Sequence, residues 1–262
     1  MGSKTGIAWT HHTFNPWWGC FKSSPACLNC YAEAVASKFG SEVWGPEAPR
    51  RFFDEKHWKQ PLAWNRQAEK DCMCFPGRPH LVFCASMADI LEPRQDLNPE
   101  RARLWDLIHQ TRWLQWQLLT KHPEGYKSLV PDEWLEAPPR NVWHGTTVEN
   151  QKYLEIRAPK LFDVPAMVRF FSCEPLLGPI DLGEFRPDWV IVGGESGKNH
   201  RPLNLDHARS LRDQCRELKI PFFFKQVGGP RPDSGGDLLD GEQIQEFPNH
   251  YKYWPLWGSD RV

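Results

Sequence analysis

The sequence predicts a parallel α/β fold, a partial or near-complete (β/α) barrel with loop insertions. Three observations predict it. Short apolar runs rich in Val, Ile and Phe recur along the chain. Amphipathic helical stretches separate several of them. Each run ends in a polar or charged residue, as strands do where they feed the reactive loops of a barrel.

The elements follow in order. Tyr31–Phe39 is a short helix candidate directly after Cys30. Residues 40–75 are rich in Trp, Pro and charge without a clear period, and read as an insertion. His80–Met87 is a strand, followed by Asp89. Pro99–Thr111 has a helical period, with Asn98 as N-cap and Pro99 at the first helical position. Trp116–Leu119 leads to Thr120 and Lys121, and a proline-bounded connection spans Pro131–Arg140. Val142–Thr147 leads to Glu149 and Asn150, Val168–Cys173 to Glu174, and Trp189–Val192 to Gly193, Gly194 and Glu195. Leu205–Leu218 sets Leu205, Ala208, Leu211 and Cys215 on one helical face. Pro221–Phe224 leads to Lys225 and Gln226. An extension, 228–262, ends in the aromatic stretch Tyr251–Trp257, expected to pack on the rest. The whole reads as one domain, 1–262.

Composition narrows the function. Against 33 Asp and Glu stand 32 Lys and Arg, so bulk charge does not hold this chain to nucleic acid, though a local basic groove stays open. Fourteen Trp and 15 Phe argue against large-scale disorder. No run of eighteen apolar residues marks a membrane span, and the first ten residues lack the apolar core of a signal peptide, so the expected location is cytoplasmic. In that compartment eight cysteines point to free thiols, metal ligands or catalysis rather than disulfides.

Three of them cluster in the segment 16–31. Six residues separate Cys20 from Cys27 and two separate Cys27 from Cys30. Three thiolates on a Ser- and Pro-containing loop suit a soft metal or an iron–sulfur cluster, because a loop wraps a compact centre where a helix would spread its ligands. Zinc is the competing reading, with His11 or His12 as fourth ligand, and would make the chain a non-catalytic nucleic-acid adaptor. Buried, reduced thiols are the third.

The polar strand ends are weighed in the same way. Gly193–Gly194–Glu195–Ser196 suits close ligand approach and capture of an ammonium, or is an ordinary glycine turn. Glu174 could bind ribose hydroxyls or a cation, or lie in a surface loop. Lys225 and Gln226 follow three Phe, which places the ammonium in the barrel mouth or beside an acid. Asp89, Thr120, Lys121, Glu149 and Asn150 are candidates of the same type. His144 is an inward acid–base group or a structural histidine. Cys84 and Cys173 read as small hydrophobes, and Cys72 and Cys74 have no assigned role. Trp9, Trp17 and Trp18 could stack on a base, shield a cluster, or fill the core.

The segments TGIAWTHHTFNPWWGC, SPACLNCYAE, VFCASMADI, LLTKHPE, RFFSCEPLLGPIDL, VIVGGESG and PFFFKQVGG together resemble a phage-associated three-cysteine-motif family, itself similar to radical S-adenosylmethionine (SAM) barrel enzymes. The resemblance runs from Lys4 to about Gly229. It implies a [4Fe–4S] cluster on Cys20, Cys27 and Cys30 after the first strand, and SAM on the open iron. It implies Gly193, Gly194, Glu195, Ser196, Glu174 and Tyr31 near the cofactor. It further implies a 5′-deoxyadenosyl radical acting in modification or repair of a nucleic-acid or nucleotide substrate, with an electron donor or partner protein. Asp89, Lys121, His144, Glu149, Lys225 and Gln226 are its substrate-side candidates. The chain departs from the commonest radical SAM spacing, three and then two, and its Gly-Gly-Glu ends a late strand rather than the second.

Overall fold

The computed structural model describes residues 5–74, 79–231 and 234–248. Seven parallel strands form one sheet, in sequence order across it: β1 (His12–Thr13), β2 (His80–Cys84), β3 (Leu114–Thr120), β4 (Val142–Thr147), β5 (Val168–Cys173), β6 (Trp189–Gly193) and β7 (Phe222–Gln226). Five larger helices accompany it: α1 (Tyr31–Lys38), α2 (Gln60–Cys74), α3 (Asn98–Gln110), α4 (Gln151–Phe162) and α5 (Leu205–Leu218). Sequential parallel order requires each connection to cross back over the same face, which curls the sheet into a half-barrel. The first and last strands share no ladder, so the barrel stays open.

Side-chain alternation gives the sheet two apolar faces. Val82, Cys84, Trp116, Leu118, Phe171, Cys173, Val190, Val192 and Phe224 turn outward into the helix-covered core, with Leu104, Leu154, Ala158, Leu211 and Cys215. Leu81, Phe83, Trp143, Phe170, Trp189, Ile191 and Phe223 turn inward and meet Trp9. This aromatic cluster plugs the lower lumen. The Trp143 indole N–H donates to Gln115 Oε1 (2.9 Å), satisfying a buried polar group. Gly145 makes the plug possible: a Cβ there would lie 2.2 Å from the Phe170 ring. Trp9 therefore belongs to the lumen, and Trp17 is fully buried.

Several element boundaries differ from the sequence reading. Asn98 is the first residue of α3 rather than its cap, and its Oδ1 accepts from Arg101 NH1 (2.7 Å). At α5 the boundary agrees with the sequence: Asn204, directly before Leu205, is the cap and accepts from the Asp206 N–H (3.0 Å). Asn150, a site candidate, instead caps α4 by accepting from the Tyr153 N–H (3.2 Å). The insertion is not irregular. It contains α2 and a strand, Arg51–Phe52, paired antiparallel with Trp17–Trp18. Arg50 anchors it from inside, bonded to the buried Glu92 carboxylate and to the carbonyls of Val43 and Ala48 (3.0 and 2.8 Å). Residues Tyr251–Trp257 lie outside the described residues, as does the side chain of Cys74; Cys72 is buried in α2. Among the described residues no helix is long and apolar enough to cross a membrane.

Candidate functional site at the half-barrel mouth

The cysteine loop leaves the sheet at the C-terminal end of β1. Beyond β1 the chain continues alongside the extension of β2: Asn15 Oδ1 accepts from the Met87 N–H (2.7 Å), and Gly19 bridges to Ala88. Cys20 follows at once. Pro25–Cys27 makes one 3₁₀ turn, and Cys30 is the residue before α1. Tyr31 opens α1, its hydroxyl donating to Ser86 O (2.9 Å), which ties the helix start to the end of β2.

The three thiols are electrostatically distinct. Burial raises the Cys20 pKa, and Asp89 and Glu92 add to it. Burial also raises Cys30. At Cys27 burial is outweighed by Lys121 and by hydrogen bonds from Ser23 and Ser24, which hold the thiol below its ordinary range. The Lys121 ammonium favours the thiolate at all three positions. Among the described residues no group of three or more His, Cys, Asp or Glu is drawn together as a ligand set. Cys20 Sγ donates to Phe21 O (3.5 Å), and Cys27 Sγ lies 3.8 Å from the Ser24 hydroxyl. The donor chemistry nonetheless fits a thiolate-bound centre: three soft ligands on one loop, facing a shared cation.

His11 and His12 do not belong to this set. They sit at the opposite, N-terminal end of the strands. His11 Nδ1 accepts from the Leu81 N–H (3.0 Å), and His12 Nε2 lies 3.4 Å from His80 Nδ1. The His12 ring stacks on Trp64, centroids 4.4 Å apart. Sequence proximity to Cys20 suggested a fourth zinc ligand; the direction of β1 separates them.

Alternation along the strands aims Lys121, Thr147, Ser172, Glu174, Gly193 and Lys225 into the mouth. Lys121 Nζ is 3.3 Å from Thr147 Oγ1. Lys225 Nζ pairs with Glu174 Oε1 at 2.7 Å, and Ser172 Oγ donates to Glu174 Oε2 (3.3 Å). A Cβ on Gly193 would press on the Glu174 carboxylate at 3.0 Å.

Other candidates are placed elsewhere. Asp89 is buried and accepts from Thr120 Oγ1 (2.6 Å) and the Lys121 N–H (2.7 Å), tying two strand ends together. Glu149 is fully buried and paired with Arg157 NH1 at 2.7 Å. His144 points outward and stacks on Tyr126 (4.3 Å); burial, then Arg169, lowers its pKa to about 3, so it is neutral. Gln226 also turns out of the mouth, reaching Gly194 O (3.4 Å). Ser196 bridges to Gly229. Gly194 serves packing, since a Cβ there would lie 1.8 Å from Val227 O. Glu195 accepts from Arg201 Nε (2.9 Å) and NH2 (2.5 Å) and from Asn29 Nδ2 (3.0 Å). Sequence reasoning missed Arg201, Asn29 and Asn15, all of which hold the loop. The SPACLN and SGKNHR contexts carry no motif that would single them out.

Fold and site thus define a parallel α/β half-barrel with a three-cysteine loop at its mouth. Residues 4–248 match the family described as protein of unknown function DUF5131, and the chain belongs to that family. No curated protein matches the sequence. Among solved structures, a single-substitution variant of spore photoproduct lyase is similar at 11% identity and TM-score 0.46, over 84% of this chain and 65% of that one. The lyase complexed with dinucleoside spore photoproduct gives 10% and 0.45 over the same shares. A double-substitution variant with bound AdoMet and dinucleoside spore photoproduct gives 11% and 0.44, also over 84% and 65%. The chain spans about 65% of the length of these lyase chains. At such scores the fold is read from the strand order itself.

Proposed function

We propose that this chain is a radical SAM-type iron–sulfur enzyme in which Cys20, Cys27 and Cys30 hold a [4Fe–4S] cluster. The observation that carries the reading is the placement of those three thiols. They leave the first strand at the C-terminal mouth of a parallel half-barrel, where Lys121, Thr147, Glu174 and Lys225 turn inward from four other strands. Cys20, Cys27 and Cys30 would hold the cluster by three thiolates, and such a centre would bind SAM and supply the electron for its reductive cleavage to methionine and a 5′-deoxyadenosyl radical.

The chain's own groups have definable parts. Lys121 offsets the negative charge of the thiolates. Glu174 and Lys225 present opposite charges 2.7 Å apart, a pair able to exchange with the ammonium and carboxylate of an amino-acid zwitterion. The aromatic plug below fills the lower lumen with buried side chains.

A nucleic-acid or nucleotide substrate, undergoing modification or repair, fits the surface beside the cysteine loop. Trp18 is half-buried there with the Arg51 guanidinium 5.0 Å from its ring. Phe39 and Phe52 are exposed next to it. Aromatic rings interleaved with cations stack bases without a large net charge.

The test is anaerobic reconstitution with iron and sulfide, reduction with dithionite, and addition of SAM. Formation of methionine and 5′-deoxyadenosine, lost in Cys27→Ala, is the expected result. A fully loaded cluster that never cleaves SAM would overturn the reading.

A further inference from the structure

The cysteine loop is eleven residues from Cys20 to Cys30 with one short 3₁₀ turn, too little local structure to fix its own shape. Its ends are anchored by the Gly19–Ala88 bridge and by the Tyr31 hydroxyl. Its middle is held from across the mouth. Asn29 Nδ2 donates to Glu195 Oε2 (3.0 Å) and to Asn199 O (2.8 Å). Arg201 NH2 donates to Pro25 O (3.0 Å). Arg201 meets the Glu195 carboxylate as a fork, Nε to Oε2 (2.9 Å) and NH2 to Oε1 (2.5 Å), and its backbone N–H adds a third bond to Oε2 (2.8 Å). Among the described residues, every hydrogen bond that ties the segment from Pro25 to Asn29 to a distant part of the chain comes from this group.

We infer that Glu195, Arg201 and Asn29 form a latch that orders the cysteine loop, and that Glu195 is a positioning residue rather than a ligand for the cofactor's amino group. Four donors already meet this carboxylate, three on Oε2 and one on Oε1, so most of its acceptor capacity is spent within the latch. Its side chain is 5% exposed, so little of it faces an incoming ligand. Burial opposes charge on Glu195, yet Arg201 and Asn29 outweigh that and hold the carboxyl below its ordinary range. The latch also has an architectural sense. The outermost strands of the half-barrel do not pair, and these side chains join the loop after β1 to the loop after β6. Side chains rather than a ladder thus bridge the mouth, from the first strand's loop to that of the last strand but one. This inference deepens the iron–sulfur reading, since its consequence is the preorganisation of three thiols.

The experiment uses the full chain in two forms. In metal-free protein, hydrogen exchange over residues 20–31 and the rate of alkylation of each thiol are measured for wild type, Glu195→Ala and Asn29→Ala. Glu195→Ala is expected to raise both by about tenfold or more, with exchange in β3–β6 unchanged; Asn29→Ala repeats the effect in smaller measure. In reconstituted protein, iron loss to a chelator is expected to accelerate in the same order, while SAM affinity of the loaded fraction stays within about twofold of wild type. Loop exchange unchanged in both variants would overturn the latch. So would a SAM affinity that falls more than about tenfold in Glu195→Ala with loop protection intact, as loss of a direct charged contact requires. If wild type takes up no iron, the iron–sulfur reading fails, and the metal-free measurements still decide the latch. Asn29→Ala keeps the test open should Glu195→Ala not fold.

Discussion

At the N-terminal ends of β1 and β2, His11, His12, His80 and Asp71 bond and stack among themselves, with Trp64 against His12. At the C-terminal ends of the same strands stand Cys20, Cys27 and Cys30, all under the influence of Lys121, at the mouth that also holds the Glu174–Lys225 pair. Both groups are rich in metal-ligating atoms, and they begin only nine residues apart in sequence, at His11 and Cys20. Their surroundings differ. The histidine end lies below an aromatic plug, and its rings bond to one another, to Asp71 and to the Leu81 N–H. The cysteine end opens above the aromatic plug, where Lys225 balances Glu174 from two strands away. Strand direction, rather than nearness in sequence, decides which donors share a cavity.

That contrast is open to test. The largest expected effect is on metal content: Cys27→Ala loses its iron, while His12→Ala keeps the wild-type amount, as read by iron analysis of reconstituted protein. The opposite pattern would merge the two groups into one site. Gly194→Ala comes next. It places a Cβ against Val227 O, a contact that only backbone movement relieves, and is expected to cost about 3 kcal/mol or more in denaturant unfolding.

Acid sensitivity should come from histidines away from the mouth. His144 is neutral in the fold, its pKa lowered to about 3 by burial first and Arg169 second, while the unfolded chain takes up a proton near 6.5. The unfolded state therefore binds more protons below pH 6.5, and stability falls as pH falls through that window. The expected loss from His144 between pH 7 and 5 is about 2 kcal/mol. His12, lowered to about 4 by burial and then by its neighbouring histidines, adds a smaller share because it is partly exposed. His144→Phe should flatten much of the dependence in urea titrations at the two pH values. An unchanged slope would mean the acid-sensitive groups lie at the mouth.

Lys225→Met probes the mouth itself. It leaves Glu174 without its cation and is expected to weaken SAM binding by about tenfold with little change in melting temperature. The smallest effect belongs to Asp71→Asn at the histidine end. Its bond to His80 is partly exposed, and the change in unfolding free energy should stay within about 0.5 kcal/mol.

Much of this architecture is legible in the sequence because its signals are local. Val142–Thr147 and Val168–Cys173 form with the bounds that their apolar runs indicate, and Leu205–Leu218 with the bounds of its amphipathic period. The helix Gln60–Cys74 is hidden because its apolar buried residues, among them Trp64, Ala68 and Cys72, are diluted by charge. The first strand is two residues long and carries no pattern of its own. At the site, alternation alone separates Glu174 and Lys225, which face the mouth, from His144 and Gln226, which do not. The Gly-Gly-Glu segment shows the limit of motif reading. Gly194 answers to the backbone of Val227 and Glu195 to Arg201 and Asn29; Val227 and Asn29 lie in distant segments that a single sequence does not bring together, and Arg201, six residues on, carries no motif.

The central claim is that the three-cysteine loop holds an iron–sulfur cluster with an open iron. The most direct test is anaerobic purification followed by iron, sulfide and zinc analysis, with EPR of the dithionite-reduced protein before and after SAM. The account expects about four irons per chain and an EPR signal that shifts when SAM is added. One zinc and no iron, or a cluster signal indifferent to SAM, would contradict it.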